Sequence, residues 1–569
     1  MNLKLTKHHL VLGLILVFAA GLRFYRLTDF PPGLYSDEAA YGYNAYSILT
    51  TGRDEWGKFL PLTIQSFGDY KPPMTAYLTI PSIAIFGLNE FAVRFPSALL
   101  GTLTVLLIYF LAKEIHRDAA LLAALLLAIS PWHIHFSRMS MLVGIENFFL
   151  TLGVYAFIKF TRSPNWLFLT ATSFVAAIYT YYGSRVTVPL LIIGLSWLFY
   201  RSIWKHKRKL IFSALVGLVL LVPLLLTMLR DPQTLLGRAK YMSVFYNDSV
   251  RSQLWKTAVW HGQVNSPVLL TRLFDNKVYY YARDIARRYL SHWSLSFLVA
   301  DGDVQPPFNI PNMGQVLVVD IVFVSIGFYY AVKSRPRADQ PMAGKFTWAI
   351  LIYLLVSPVT SSLTFITPAA NRSFSMVTGW TILTALGIYK LRRFWLVTGG
   401  LYLVAFTYFL YQYTTVLPQT IPNQFHYGIK ELIQEVNRVG KDYQRVVLTG
   451  NGGPLYIFNL FYNRYPPQDF RATKQVNPAI DALGWQHIDS FGKYTIPRDF
   501  NWNTFYKEIG VLYVGFGEEI PDACPNPKFV RRTTTALYWY PVIDAKIYYP
   551  NGTVAYKLVH LKEIYDPAL

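Results

Sequence analysis

Charge is scarce in this chain. Only 15% of its 569 residues are Asp, Glu, Lys or Arg, against roughly a quarter in an average soluble domain, which argues against a soluble enzyme. Cysteine is all but absent. The single Cys524 excludes an internal disulfide and any cysteine-based zinc cluster. Acidic residues are few as well: 32 Asp and Glu against 53 Lys and Arg leave a net charge of +21. A surplus of that size, taken alone, suggests a nucleic-acid partner, so its location decides the matter. No sustained repeat or low-complexity tract is present.

What the chain has in abundance is apolar sequence, 53% hydrophobic and 17% aromatic. Runs of about 20 apolar residues, enough to span a bilayer, recur from residue 9 to about 413 and then stop. Eleven spans are expected, at 9–25, 92–112, 119–134, 142–158, 166–182, 186–200, 210–229, 314–332, 346–363, 373–389 and 394–413. A further stretch, Met74 to Leu88, follows Pro72 and Pro73 and, at about 15 residues, has the length of an interfacial or re-entrant segment.

The basic residues decide its placement. If Met74 to Leu88 does not cross, one side receives Lys4, Lys7, Lys113, Arg117, Lys159, Arg162, the run Arg201 to Lys209, Lys333, Arg335, Arg337, Lys345, Lys390, Arg392 and Arg393. The opposite short loops hold only Arg138, Arg185 and Arg372. A crossing would set the first loop against all later ones. The segment is therefore expected to lie along the outer membrane surface, with the N-terminus cytoplasmic and the C-terminal domain extracytoplasmic. Much of the positive charge is then an orientation signal, and no nucleic-acid partner is expected. The first span is not expected to be a cleaved signal peptide, because Arg23 to Leu27 is expected to continue the helix in place of a small-residue cleavage site.

Residues 1–416 are accordingly expected to form a membrane domain with long outer loops at 27–91 and 230–313. Residues 417–569 read as a soluble α/β domain. Ile429, Leu432, Ile433, Val436 and Val439 have helical spacing, Arg445 to Leu448 and Val511 to Phe516 look like buried strands, and Ala545 to Leu561 reads as a hairpin around Asn551 and Gly552.

Candidate chemistry gathers in the outer loops. Asp37 and Glu38 open an amphipathic helix behind Ser36, a plausible N-cap, so the acids either complement the helix dipole or serve as a base on an acceptor hydroxyl. Lys71, preceded by Asp69 and Tyr70, is either a snorkelling anchor or a cation for a lipid phosphate. Asp69 is placed to orient Lys71 or to act as a second acid. Arg138, Arg185 and Arg372 are the basic residues of otherwise uncharged outer turns, and arginine grips phosphate oxygens bidentately. The second long loop adds His292, Asp301 and Asp303. Its Asp-Gly-Asp reads more readily as a turn than as a metal site; no metal ligand set is assigned, and a divalent metal is not favoured. Glu146 and Asn147 near an outer helix end read as packing or hydrogen-bonding residues, as do His133, His135 and His261 at interfaces.

Taken in order, YSDEAAYGYNAYSI, the KPP of YKPPMTAYL, FGLNEFAVRFPSALLGTLTVLLIYFLAKEI, HFSRMS, AIYTYYGSRVTVPL and YLSHWSLSFLVADGD resemble the GT-C superfamily of membrane glycosyltransferases. The resemblance is to the dolichyl-phosphate-mannose-protein mannosyltransferases of glycosyltransferase family 39 and to the related bacterial aminoarabinose transferases. It covers roughly residues 9 to 413. The fold it implies is a polytopic α-helical membrane protein of about 11 transmembrane helices with outer-face juxtamembrane helices, followed by the soluble α/β domain. The activity it implies is inverting transfer of one sugar from a polyprenyl phosphate, dolichyl or undecaprenyl, to a protein, glycan or lipid acceptor at the outer face of a prokaryotic cell membrane. By the same resemblance Asp37 is the general base, Glu38 supports it and Lys71 binds the donor phosphate. The arginines fit phosphate binding on their own chemistry, and Asp69, Tyr70, His292, Asp301 and Asp303 are candidate substrate contacts.

The chain also departs from the patterns of the families it resembles. The late outer loop reads Pro368, Ala369, Ala370, Asn371, Arg372 where a bacterial pattern has Pro-His before the arginine. No Trp-Trp-Asp motif of oligosaccharyltransferases and no MIR-type repeat is seen, which leaves the C-terminal domain either an acceptor-docking module or a stabilising cap. The competing readings are a transporter or flippase of lipid-linked glycans, which would be expected to carry polar residues and broken helices at mid-bilayer, and a non-catalytic assembly protein acting through its tail.

Overall fold

A computed structural model describes residues 7–234, 241–246, 248–264, 266–333, 342–481, 485–504, 507–522 and 537–565. Lys4, Arg335, Arg337 and Cys524 lie outside them. The chain divides into two compact units.

The first unit comprises Met1–Leu27, Pro72–Thr75 and Arg94–Tyr413 and is helical. A helix stands at each expected span: Lys7–Phe24, Glu90–Ile115, Ala120–Ile129 with Pro131–Arg138, Leu142–Lys159, Trp166–Thr180, Ser184–Leu198, Lys207–Arg230, Asp320–Val332, Ala343–Val356, Met376–Lys390 and Trp395–Tyr411. Among the described residues, six stretches are long and apolar enough to cross a membrane, and a seventh if the Arg117–Ile129 and Pro131–Arg138 pair, bent by 56°, is one span. The protein is a polytopic helical membrane protein. The bend falls at Pro131, which occupies the first turn of its helix behind Ser130, whose hydroxyl accepts from the His133 amide.

Helix ends inside an apolar unit leave carbonyls that need donors. The first helix runs out at Phe24, and Arg138 donates to the carbonyls of Leu22 (2.7 Å), Tyr25 (2.8 Å) and Arg26 (2.9 Å). Arg23, fully buried, donates to the Ala19, Leu127 and Ala128 carbonyls and lies 2.7 Å from His133 Nδ1. The second long loop holds helices Asp248–Gln263, Val268–Phe274 and Lys277–Ser291. Arg288 ties the last of these to the Thr364 and Phe365 carbonyls.

The second unit comprises Thr28–Lys71, Ala76–Val93 and Thr414–Leu569. It draws the boundary differently from the division at 416/417, because most of the first long loop shares a core with the tail. Among the described residues its sheet has seven strands: β3 (Arg445–Leu448), β4 (Gln475–Ile480), β5 (Gln486–Phe491), β6 (Tyr494–Thr495), β7 (Val511–Phe516), β8 (Leu537–Tyr548) and β9 (Val554–Tyr565), in the order β4-β5-β6-β3-β7-β9-β8. The central β3 is parallel to β6 and β7, and the other pairs are antiparallel. Side chains alternate between two cores as a strand's period of 2 requires. Val446, Leu448, Leu512 and Val514 enter the larger one, while Val447, Val511 and Tyr513 enter a smaller one with Phe500 and Trp502. Burial on both faces is why β3 and β7 read as continuous apolar runs. The β8–β9 hairpin turns through Asn551 and Gly552 as expected, with Gly552 at φ +84° and the Asn551 side chain accepting from the Thr553 amide.

The larger core also takes Leu34, Ala39, Ala40, Tyr43 and Ala45 of the loop helix Ser36–Thr51 and the turn before it, and Ile83 and Leu88 of the Met74 to Leu88 stretch, against Leu455, Phe458 and Phe461 of helix Leu455–Tyr462. That stretch forms helix Met74–Phe86, which is too short to span a bilayer. Gly42 makes the helix contact possible, since a Cβ there would stand 2.6 Å from both Phe461 and Val93 side-chain atoms.

A buried polar cluster sits beside this core. Glu55, fully enclosed, accepts from Trp56 Nε1 (3.2 Å), the Tyr456 hydroxyl (3.3 Å) and Asn44 Nδ2 (3.3 Å), and Lys474 donates to its backbone carbonyl. Arg471 donates to the Asp54 carbonyl, and Lys474 lies 3.8 Å above the Trp56 ring. Burial pushes the Glu55 carboxyl up to about 7.

Two outcomes follow from this packing. Gly42→Val forces the two helices apart and lowers stability by about 1–3 kcal/mol, read as an earlier thermal midpoint of the detergent-purified chain. Gly13→Ala, with nothing within 4 Å of the added carbon, does not lower it. For Glu55 the folded state holds a proton that the unfolded chain releases near 4.5, so its contribution is fully present below that pH and is lost as pH rises toward 7. Glu55→Gln should flatten that slope in urea midpoints measured between pH 4.5 and 8, and an unchanged slope would remove Glu55 as its source.

Candidate active site

Strands β1 (Ile64–Ser66) and β2 (Asp69–Lys71) form a hairpin in register Ile64↔Lys71 and Ser66↔Asp69. Its two turn residues, Phe67 at φ +59° and Gly68 at φ +77°, have the left-handed conformations that a two-residue turn needs to match strand twist. Because strand side chains alternate, Asp69 and Lys71 share one face. Tyr70 takes the other, where Lys58 Nζ lies 4.8 Å from its ring.

Lys71 meets the start of the loop helix there. Its Nζ is 2.6 Å from Asp37 Oδ1 and 3.7 Å from Asp69 Oδ2. It also lies 5.4 Å from the Phe67 ring and 5.9 Å from the Tyr41 ring. The lysine side chain is 6% exposed and that of Asp37 33%, so the cation is enclosed while the carboxylate stays open. The arrangement can hold a negative charge beside a fixed cation and present a carboxylate oxygen to an incoming hydroxyl.

Glu38 is placed differently from a second reacting acid. The helix begins at Ser36 with Tyr35 as its N-cap, so Ser36 is not the cap. Glu38 is buried and accepts from the Tyr35 amide at 3.0 Å, the reach-back half of a capping box. It fixes the turn that aims Asp37.

In the membrane unit, the late loop gathers three of the expected residues. His292 Nε2 lies 2.7 Å from Ser361 Oγ and accepts from the Ala369 amide, while its Nδ1 faces the Arg288 carbonyl at 2.8 Å. Burial holds its imidazole down at about 4, with Arg372 adding to the effect. Asp303 accepts from the Gln305 and Ala370 amides, and burial raises its carboxyl to about 6 against the opposing charge of Arg372. Arg372 donates to Thr364 Oγ1 and the Ile366 carbonyl, each at 3.0 Å. Asp301 points elsewhere, accepting from Ser296. Among the described residues no group of three or more His, Cys, Asp or Glu side chains could hold a metal ion.

The other two arginines divide. Arg138, expected on a phosphate, is nearly buried and engaged with the helix-end carbonyls described above. Arg185 lies 5.1 Å from the Tyr182 ring, and its buried Nε has no hydrogen-bond partner among the described residues. Nearby, Ser184 donates to Glu146, and Asn147 Oδ1 accepts from Tyr353 and Thr378, so both polar residues have the partners expected of buried groups. The sequence did not single out Arg23, Glu55 or His426. Their roles depend on contacts with residues more than a hundred positions away or on burial, neither of which a local pattern displays.

Comparison with known proteins agrees with this architecture. A family model described as dolichyl-phosphate-mannose-protein mannosyltransferase matches residues 70–226, a stretch holding Lys71, Arg138 and Arg185. A protein of Aquifex aeolicus (strain VF5) is 31% identical over 245 residues, 42% of this chain and 46% of its own length. A Bacillus subtilis (strain 168) protein bearing the provisional name mannosyltransferase YkcB is 26% identical over 204 residues, 35% of this chain and 27% of its own. The chain thus spans about half, or less, of the curated relatives it matches. Among solved structures, the crystal structure of ArnT from Cupriavidus metallidurans bound to undecaprenyl phosphate aligns with a TM-score of 0.52 at 13% identity, covering 80% of this chain and 84% of that one, and shows a shared fold. The chain is thus similar over residues 70–226 to the dolichyl-phosphate-mannose-protein mannosyltransferases and shares the fold of ArnT.

Proposed function

We propose that the protein transfers a single sugar, with inversion, from a polyprenyl phosphate to an acceptor hydroxyl at the outer face of the membrane. The observation that carries this reading is the Asp37–Lys71 pair, an open carboxylate 2.6 Å from an enclosed ammonium. Asp37 removes the proton of the acceptor hydroxyl as its oxygen bonds to the anomeric carbon. The bond from that carbon to the phosphate oxygen breaks, and the polyprenyl phosphate leaves with the electron pair. A phosphate leaving group needs cations more than a second acid. Lys71 supplies one, which accords with the placement of Glu38 in a helix cap.

The membrane unit adds the lipid side of the reading. Its apolar helices present a bilayer-facing surface for a polyprenyl chain, and Arg185 is proposed as a phosphate contact because its Nε is not engaged within the described structure. Arg372, whose Nη1 donates to Thr364 Oγ1 and the Ile366 carbonyl, is proposed as a second on the bidentate chemistry of its guanidinium. The eleven-span topology, with the N-terminus cytoplasmic and the soluble unit outside, belongs to this proposal too. It is supported by the basic residues of the inner loops. The acceptor class, protein, glycan or lipid, is left to experiment.

The test is transfer from a labelled polyprenyl-phosphate sugar by purified protein. Asp37→Asn should lower kcat by about 10²–10⁴-fold while donor binding persists, and near-wild-type turnover would remove Asp37 as the base. Lys71→Gln should raise the donor KM as well as lower kcat. The arginines should separate: Arg185→Ala raises the donor KM with stability intact, whereas Arg138→Ala lowers the thermal midpoint by leaving helix-end carbonyls without donors.

A further inference from the structure

The Asp37–Lys71 pair is built from two short segments, and each is gripped by the C-terminal part of its own unit. The first grip is on the turn before Asp37. A Cβ on Gly33 would collide with the Phe425 carbonyl and stand 3.0 Å from the Tyr427 amide, so the two backbones are in direct contact. His426, at φ +53°, stacks on Tyr35 with ring centroids 5.9 Å apart and an interplanar angle of 29°. Its own ring is set edge-on to Phe458 at 5.0 Å, and its Nδ1 faces the Gly452 carbonyl at 3.3 Å. Burial holds the imidazole down at about 4, with the Asp37 charge opposing, so the ring is neutral at physiological pH and close enough to feel the carboxylate.

The second grip is on the hairpin that carries Lys71. The Gln486 amide of β5 donates to the Phe67 carbonyl at 2.8 Å. Trp485 stacks on Phe67 at 5.9 Å and 27°, and Tyr456 meets the same ring edge-on at 5.8 Å. Gly68 is pressed against this strand, since a Cβ there would lie 2.8 Å from Gln486 atoms. Phe67 in turn lies 5.4 Å from Lys71 Nζ.

We propose that His426 and Trp485 are positioning residues of the active site, the first setting Asp37 through Tyr35 and the second setting Lys71 through Phe67. The C-terminal domain is then part of the catalytic apparatus, neither a cap nor a separate acceptor module. This inference rests on the reading of Asp37 as base and Lys71 as phosphate ligand. Reactions of this type are sensitive to placement, and an error of about 1 Å costs on the order of a hundredfold in rate.

The two grips predict different kinetic signatures, which a purely stabilising role would not give. In the full-length purified protein, with the folded fraction fixed by size exclusion, His426→Ala should lower kcat roughly ten- to a hundredfold and leave the donor KM unchanged. Trp485→Ala should raise the donor KM. His426→Phe and Trp485→Phe keep a stacking ring and should restore most of each loss; they carry the test if either alanine variant fails to fold. Wild-type kinetics in the alanine variants, or equal falls in kcat with no change in KM and no rescue by phenylalanine, would overturn the proposal. Asp37→Asn, assayed alongside, separates the two levels: if it is inactive while the alanine variants are normal, only the positioning role fails, and if it too is fully active, the reading of the site fails.

Discussion

Everything at the candidate site depends on holding two opposite charges 34 positions apart in the chain at 2.6 Å. An ammonium as enclosed as that of Lys71 is tolerable only beside a carboxylate, and an ion pair with one side open gains little unless both side chains are already fixed. The fixing comes from backbone geometry. A two-residue left-handed turn sets the register of the hairpin, Glu38 caps the helix at Tyr35, and the two elements share one apolar core with the tail. The pair is therefore the outcome of folding the second unit.

The membrane unit is governed by a different constraint. With no water to satisfy helix ends, donors must come from side chains, and Arg23 and Arg138 supply them. This explains why an arginine in an uncharged outer turn is an ambiguous signal. Arg138 and Arg185 look alike in sequence, yet one completes a helix terminus while the other keeps its Nε without a partner among the described residues. The difference is one of tertiary contact, and no spacing rule records it.

Much of the architecture was legible. Apolar runs marked the helices at the eleven expected spans, though not Asp248–Gln263 or Lys277–Ser291 of the second long loop, and the doubly covered strands Arg445–Leu448 and Val511–Phe516 and the hairpin at Asn551 and Gly552 were visible because burial and turn chemistry leave periodic traces. Lys71 and Asp37 stood out because charge is rare in such a chain. Three features stayed hidden. The first loop and the tail are far apart in sequence, so their common core could not be read from either segment. Glu38 has the composition of a reacting acid and the geometry of a cap. His426 sits in QFHYG, where nothing local distinguishes it, and its contact with Tyr35 appears only when the two loops meet.

The central claim is that a cation-held carboxylate serves sugar transfer from a lipid phosphate. Its most direct measurement follows the label when purified protein is incubated with a panel of polyprenyl-phosphate sugars carrying a radiolabelled sugar. For at least one donor, label is expected to leave the lipid phase in proportion to enzyme and time, to leave polyprenyl phosphate behind, and to appear in the product with inverted anomeric configuration. Label that moves with retained configuration, or that crosses a bilayer still attached to its lipid, would contradict it.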